Sequence, residues 1–147
     1  MLEDKILKDY QQAMKDRDSL KTSVLSFLRA EMINAALNKK KDKLDDNDAI
    51  AVIRKQIKAR QESIEQFTKG NRADLAGKEE KELVLLKAYL PAELSEEQIK
   101  KIISEVISSV GAQGIRDMGK VIKEVGVIIA GKADPKVVSD LVKQRLT

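Results

Sequence analysis

Apolar residues recur at steps of three and four along almost the whole chain, and this spacing is the feature that most limits its fold. Such spacing places apolar side chains on one side of an α-helix, whereas a half-buried strand alternates them at every second residue. The two prolines, two Phe, two Tyr and absence of Trp leave little material for strands or hairpins. The chain is therefore predicted to be all-α.

Start and stop signals divide this pattern into seven helices, at about residues 2–15, 19–38, 48–69, 72–90, 95–110, 117–130 and 135–146. The second helix carries a wide apolar face, which favours a central position in a bundle. Pro91 follows the fourth helix and opens a short hinge. We predict a boundary there, with an N-terminal four-helix bundle in residues 1–90 and a small C-terminal three-helix bundle in residues 91–147.

Several residues have the chemistry of helix caps. Ser95 is followed three residues later by Gln98, which is the spacing of a capping box. Asp117 can cap the sixth helix, and Asp134, followed by a proline, can cap the seventh. The sixth helix is predicted to end at Gly131. The apolar residues predicted to face the core of these two helices are Met118, Val121, Ile122, Val125, Ile128 and Ile129, and then Val137, Val138, Leu141, Val142 and Leu146.

Two charged features allow both a structural and a functional interpretation. Arg60 occupies a position where the seven-residue rhythm of the third helix calls for an apolar residue. The prediction is that it pairs with Glu79 or Glu82, and the alternative is an anion site. The basic run 39–43 follows the second helix. It is interpreted as a solvated turn, with a phosphate contact as the alternative.

The distribution of charge singles out the last part of the chain. The formal net charge is only +4, but residues 113–147 hold seven basic and four acidic side chains, whereas residues 91–112 hold two and four. The basic residues that lie off the apolar stripes of the last two helices must face solvent or a negatively charged partner. They are Lys120, Lys123, Lys132, Lys136, Lys143 and Arg145.

Composition also argues against several function classes. The chain has no Cys and no His, so the usual zinc ligands, thiol chemistry and a histidine base are lacking. No phosphate-binding glycine loop is present, and Ser139 with Lys143 is a weak candidate for a catalytic pair. We predict no catalytic residue, no metal and no cofactor. No stretch is apolar for long enough to span a membrane, and a cytoplasmic location is expected.

The run KQIKARQESIEQFTKGNRADLAGKEEKELVLLKAYLPAELSEEQI, followed by DMGKVIKEV and GKADPKVVSDLVKQRL, closely resembles the YqeY-like (GatB/Yqey) family. The resemblance implies a C-terminal module similar to the tail domain of the B subunit of the tRNA-dependent amidotransferase. That enzyme is a carbon–nitrogen ligase with glutamine as amido-N-donor, and its tail grips tRNA while other domains carry the chemistry. Positions that match the family or this tail include Gly119, Lys120, Gly131 and Lys132.

Two functional interpretations remain open. In the first, the chain is a non-catalytic accessory protein that binds tRNA or another structured RNA. Its RNA-binding residues would be Gly119, Lys120, Lys123, Gly131, Lys132, Lys136, Lys143 and Arg145. In the second, it is a helical protein–protein interaction module with no nucleic-acid ligand, and its lysines only confer solubility. The wide apolar face of the second helix and the off-stripe Val127 favour this second interpretation.

Overall fold

A computed structural model describes all residues 1–147 and contains helices without any strand. The helices are α1 (Leu2–Lys15), α2 (Ser19–Asn38), α3 (Asp46–Lys69), α4 (Ala73–Lys87), α5 (Glu96–Val110), α6 (Met118–Ile129) and α7 (Pro135–Leu146), and a 3-10 turn spans Ile115–Asp117. The predicted all-α fold is confirmed. The chain divides into two compact units, Met1–Leu90 and Pro91–Thr147. No helix combines the length and the apolar content that crossing a membrane requires.

Local capping chemistry sets most helix starts. The side chain of Asp18 accepts a hydrogen bond from the backbone N of Lys21 at 3.1 Å, and thereby caps α2. Ser95 and Gln98 exchange both bonds of the predicted capping box at the start of α5. Asp134 accepts from the backbone N of Lys136 at 2.9 Å, as predicted for the start of α7. Each bond satisfies an amide that has no partner within its helix.

Three sequence predictions about the last two helices are wrong in detail. The Asp117 carboxylate does not cap α6. It accepts from the backbone N of Gln113 at 3.0 Å, because the 3-10 turn places it beside the preceding loop. Ile128 and Val137 are exposed because they lie at the margins of their apolar stripes, where no neighbouring helix covers them. Helix α6 ends at Ile129, one residue before the predicted bound at residue 130.

The core of the first unit is built around α2. This helix packs against α1, α3 and α4. Its buried side chains meet apolar residues of the neighbouring helices in one cluster, whose members include Ile6, Val24, Leu25, Leu28, Met32, Leu44, Ile53 and Leu86. Removing this apolar surface from water is the main favourable term for a helical bundle of this size.

Polar contacts join distant parts of the first unit. The Tyr89 hydroxyl donates to the Asp9 carboxylate at 2.6 Å, across 80 residues of sequence. Burial, together with this hydrogen bond, raises the pKa of Tyr89. The contact holds the chain after α4 against α1. Breaking it would leave a half-buried hydroxyl without a hydrogen-bond partner, which costs free energy.

The basic run 39–43 is part of the structure of the turn between α2 and α3. The ammonium groups of Lys39 and Lys41 both contact Asp48, in the first turn of α3, and together lower the pKa of that carboxyl to about 2. Lys43 donates to Asp4 at 2.6 Å. Three of the four lysines in the run are therefore paired within the chain, which agrees with a structural role.

Arg60 is paired as predicted. Its guanidinium donates to the carboxylates of both Glu79, at 3.0 Å, and Glu82. The Arg60 side chain is only 14% exposed, and that of Glu82 is also buried. The cluster joins α3 to α4, which pack along their length. A buried charge of this kind is tolerated when opposite charges and hydrogen bonds compensate for its lost hydration.

Replacing Arg60 should therefore destabilise the first unit. We expect Arg60→Met to lower the free energy of unfolding by about 2–4 kcal/mol, because it leaves two carboxylates without their counter-charge in a partly dry position. The matched control is Lys69→Met, which removes an exposed ion pair with Glu65 on α3 and should cause no measurable change. Urea unfolding measures both variants. Equal stabilities for the two would contradict a structural role for the cluster.

The second unit has a separate core contributed by α5, α6 and α7. Its buried residues are Ile99, Ile103, Val106, Val121, Val125, Ile129, Ala133, Val138, Leu141 and Val142. The backbone N of Leu94 donates to the carbonyl of Lys132 at 2.9 Å. This bond ties the segment before α5 to the turn between α6 and α7, and so fixes the ends of the three helices relative to one another.

Candidate functional site

Eight basic side chains of the second unit are exposed and form no ion pair within the chain. Six of them are the ones singled out in the sequence, Lys120, Lys123, Lys132, Lys136, Lys143 and Arg145, and the other two are Lys101 and Arg116. None lies within ion-pair distance of a carboxylate, in contrast to the paired lysines before α3. Because no carboxylate holds these cations in an ion pair, they are available to an anionic partner.

Helix α6 directs two of these lysines away from the core. Its buried side chains, Val121, Val125 and Ile129, recur every four residues on one side. At 100° per residue, Lys120 and Lys123 fall on the opposite side, one turn apart. The exposed Val127 lies on the same outward face. The two charges therefore project from the surface of the second unit together with an apolar residue.

Two glycines flank this outward face. Gly119 and Gly126 are both exposed, and a Cβ built on either would meet no atom within 4 Å. Packing within the chain therefore does not require glycine at these positions. Their spacing places both on the side of α6 that carries Lys123, where bare backbone allows close approach of another molecule.

The turn after α6 carries Gly131 and Lys132. Both Ala130 and Gly131 have positive φ, 46° and 81° respectively. Glycine adopts this conformation without the steric cost that a Cβ imposes. Since the Lys132 carbonyl accepts the bond from Leu94, the backbone of this turn is fixed while the lysine side chain is exposed.

The last helix separates the remaining cations into two places. Lys136 and Lys143 are two turns apart on one exposed side of α7, with Asp140 between them. Arg145 instead lines a cleft of about 330 Å³ between α5 and α7. The other lining residues are Lys100, Ile103, Ser104, Leu141 and Gln144. Of the predicted residues, four lysines thus form one pair on α6 and one pair on α7, Lys132 lies in the turn between these helices, and Arg145 lies in this separate cleft.

Lys100 was missed by the sequence reasoning. It belongs to α5, in the acidic segment, and pairs with Glu96 at 3.0 Å one turn away. No local pattern connects it with Arg145, because the two line the same cleft only when α5 and α7 pack together.

The structure shows no arrangement suited to metal binding or catalysis by the candidate pair. No cluster of three or more Asp or Glu side chains suited to a metal ion is present. Ser139 and Lys143 make no hydrogen bond with each other.

The family model described as Yqey-like protein matches residues 3–146. The chain belongs to the YqeY family. The match covers both compact units, so the family resemblance extends to the first unit as well as to the basic second one.

Individual relatives come from fungi. The chain is 31% identical to altered inheritance of mitochondria protein 41, mitochondrial, of Vanderwaltozyma polyspora, over 76% of this chain and 63% of that protein. The protein of the same name from Pyrenophora tritici-repentis is 29% identical, over 92% of this chain and 76% of its own length. An uncharacterized protein of Schizosaccharomyces pombe is 39% identical, over 56% and 67%. The names of the first two place those proteins in mitochondria, and a cytoplasmic location for this chain stays a prediction.

The glycine positions give a direct test of the local backbone argument. We expect Gly131→Ala to destabilise the second unit by about 1 kcal/mol, because its positive φ is costly for a residue with a Cβ. The matched control, Gly126→Ala, lies in open space inside a helix and should stabilise by about 0.5–1 kcal/mol. Thermal unfolding followed by circular dichroism measures both. A stabilised Gly131→Ala variant, or a destabilised Gly126→Ala variant, would contradict the stated effect of positive φ at Gly131.

Proposed function

We propose that this YqeY-family protein is a non-catalytic accessory protein that binds structured RNA, with tRNA as the first candidate. The observation that carries the proposal is the set of six exposed cations on α6, on α7 and in the turn between them, none of which forms an ion pair within the chain. The bare backbone of Gly119 and Gly126 beside Lys123 supports it, since a phosphate backbone can approach α6 closely there. Cations that contact phosphates release condensed counterions, which is the main source of sequence-independent affinity.

The kind of binding follows from the residue types. Lysine is a point charge that contacts phosphate without selecting a base. Residues 91–147 contain no Phe, Tyr or Trp, so base stacking cannot contribute from this unit. We therefore propose recognition of the shape and backbone of a folded RNA. If roughly five phosphates are contacted, the logarithm of the affinity should fall with the logarithm of the salt concentration at a slope of about −4.

The resemblance to the amidotransferase tail supports tRNA as the ligand. In that enzyme, the tail grips tRNA while other domains carry out the carbon–nitrogen ligase reaction with glutamine as nitrogen donor. The proposal carries over only the gripping role. The matching positions Gly119, Lys120, Gly131 and Lys132 belong to the exposed face of α6 and the turn that follows it.

The test is binding of fluorescently labelled bulk tRNA across a salt series. We expect the wild-type chain to bind with the steep salt dependence given above. The triple variant Lys120→Glu, Lys132→Glu, Lys143→Glu should lose at least ten-fold in affinity at low salt and most of the slope, because it reverses three of the six charges. Circular dichroism verifies that its helical content is unchanged.

A matched variant separates a local surface from overall charge. Lys55→Glu, Lys58→Glu, Lys78→Glu changes the net charge by the same amount, at exposed lysines of the first unit that have no ion pair. It should retain most of the affinity. Equal losses in the two triple variants, or a wild-type affinity that does not depend on salt, would contradict the proposed surface. Absence of tRNA binding in the wild type would favour the protein–protein interpretation.

A further inference from the structure

Helix α2 presents an exposed face without a single charge. Its exposed residues are Ser19, Ser23, Ser26, Phe27, Ala30, Ile33, Asn34, Leu37 and Asn38. The three charged residues of this helix are half-buried and lie off this face: Lys21 in the first turn on the core side, and Arg29 and Glu31 at the edges. Arg29 lies over the Tyr10 ring at 4.9 Å. In a chain with 35% charged residues, an uncharged face five turns long is unlike a surface that only meets water.

The face has the spacing of a helix-pairing seam. Phe27, Ile33 and Leu37 are 55%, 54% and 69% exposed, although each is a large apolar residue. The positions 19, 23, 26, 30, 33 and 37 are separated by alternating steps of four and three. This alternation keeps one row of side chains directed at a single partner helix. The side of α2 opposite the core can therefore accept another helix along its length.

The sizes of the side chains along this seam indicate which helix fits. The first half carries only small residues, namely Ser19, Ser23, Ser26 and Ala30, and the second half carries Ile33 and Leu37. If a second α2 runs antiparallel, every large residue meets a small one. Leu37 faces Ser19, Ile33 faces Ser23 and Ala30 faces Ser26, in layers that repeat across a two-fold axis near residue 28. A parallel pair would instead place Leu on Leu and leave gaps between the serines.

We propose that α2 is the interface of a homodimer in which two copies of this chain pair antiparallel through this seam. The absence of charge supports a partner surface that is itself uncharged, because a charged partner would lose hydration without gaining a counter-charge. The second copy meets this condition with the same seam. The proposal concerns the first unit and does not depend on RNA binding by the second.

The interface is small, so the dimer should be weak. A 20-residue helix is about 30 Å long, and one pair of such helices buries less than a standard protein interface. We expect a dissociation constant of roughly 1–100 µM.

Sedimentation velocity of the nuclease-treated full chain, from about 1 to about 500 µM, tests the dimer. We expect a concentration-dependent shift from monomer to dimer. The variant Ile33→Glu, Leu37→Glu should be monomeric throughout, since it places like charges in a dry seam. The control variants Val84→Glu on α4 and Val127→Glu on α6 change other exposed apolar residues and should dimerise as the wild type does. A wild type that is monomeric at every concentration, or a dimer that persists in the double variant, would overturn the proposal.

Cross-linking tests the antiparallel arrangement. The chain has no cysteine, so each introduced thiol is the only one. Ala30→Cys lies near the proposed two-fold axis and should form a cross-linked dimer with a thiol-reactive bismaleimide that spans about 10 Å, since the two positions are too far apart for a disulfide. Ser19→Cys lies at the far end, where two copies would be roughly 27 Å apart along the helices, and should stay monomeric in denaturing gels. Cross-linking through position 19 as efficiently as through position 30 would rule out the antiparallel pairing.

Discussion

Burial of one side of α2 against three other helices is the constraint on which the first unit depends. Val24, Leu25, Leu28, Met32 and Ala36 are all buried on this side, and they join α1, α3 and α4 into one core. Because the helix is rigid, fixing its buried side also fixes which residues face outward. The outward side is the uncharged seam proposed here as a dimer interface. Stability and the presentation of a surface thus come from the same packing.

In the second unit, the packing of one helix likewise determines which side chains face outward, but here those side chains are charged. The stripe of Val121, Val125 and Ile129 anchors α6, and Lys120 and Lys123 consequently project on the opposite side. The contrast with the turn before α3 is informative, because there Lys39 and Lys41 are neutralised by Asp48. Lysines are abundant in both units, and the proposed RNA surface differs from this turn in that its lysines form no ion pair within the chain.

Much of this structure could be predicted from sequence where the cause is local. Helix bounds and caps such as Ser95 with Gln98 depend on residues a few positions apart, and Arg60 stood out because it interrupted an apolar rhythm. Exposure at Ile128 and Val137 could not be predicted in this way, since it depends on which side of a helix a neighbour covers. The cleft that Arg145 shares with Lys100 arises only when distant helices pack.

The most direct test of the proposed RNA surface is a residue-resolved map of where tRNA binds. Two-dimensional ¹H–¹⁵N spectra of the full chain, recorded at low salt during titration with tRNA, would provide this map. We expect the amide chemical shifts to change along the outward side of α6, in the turn at Gly131 and Lys132, and along the Lys136–Lys143 side of α7. The chemical shifts of residues 1–90 should not change. Changes concentrated in the first unit, or no changes at concentrations well above micromolar, would contradict it.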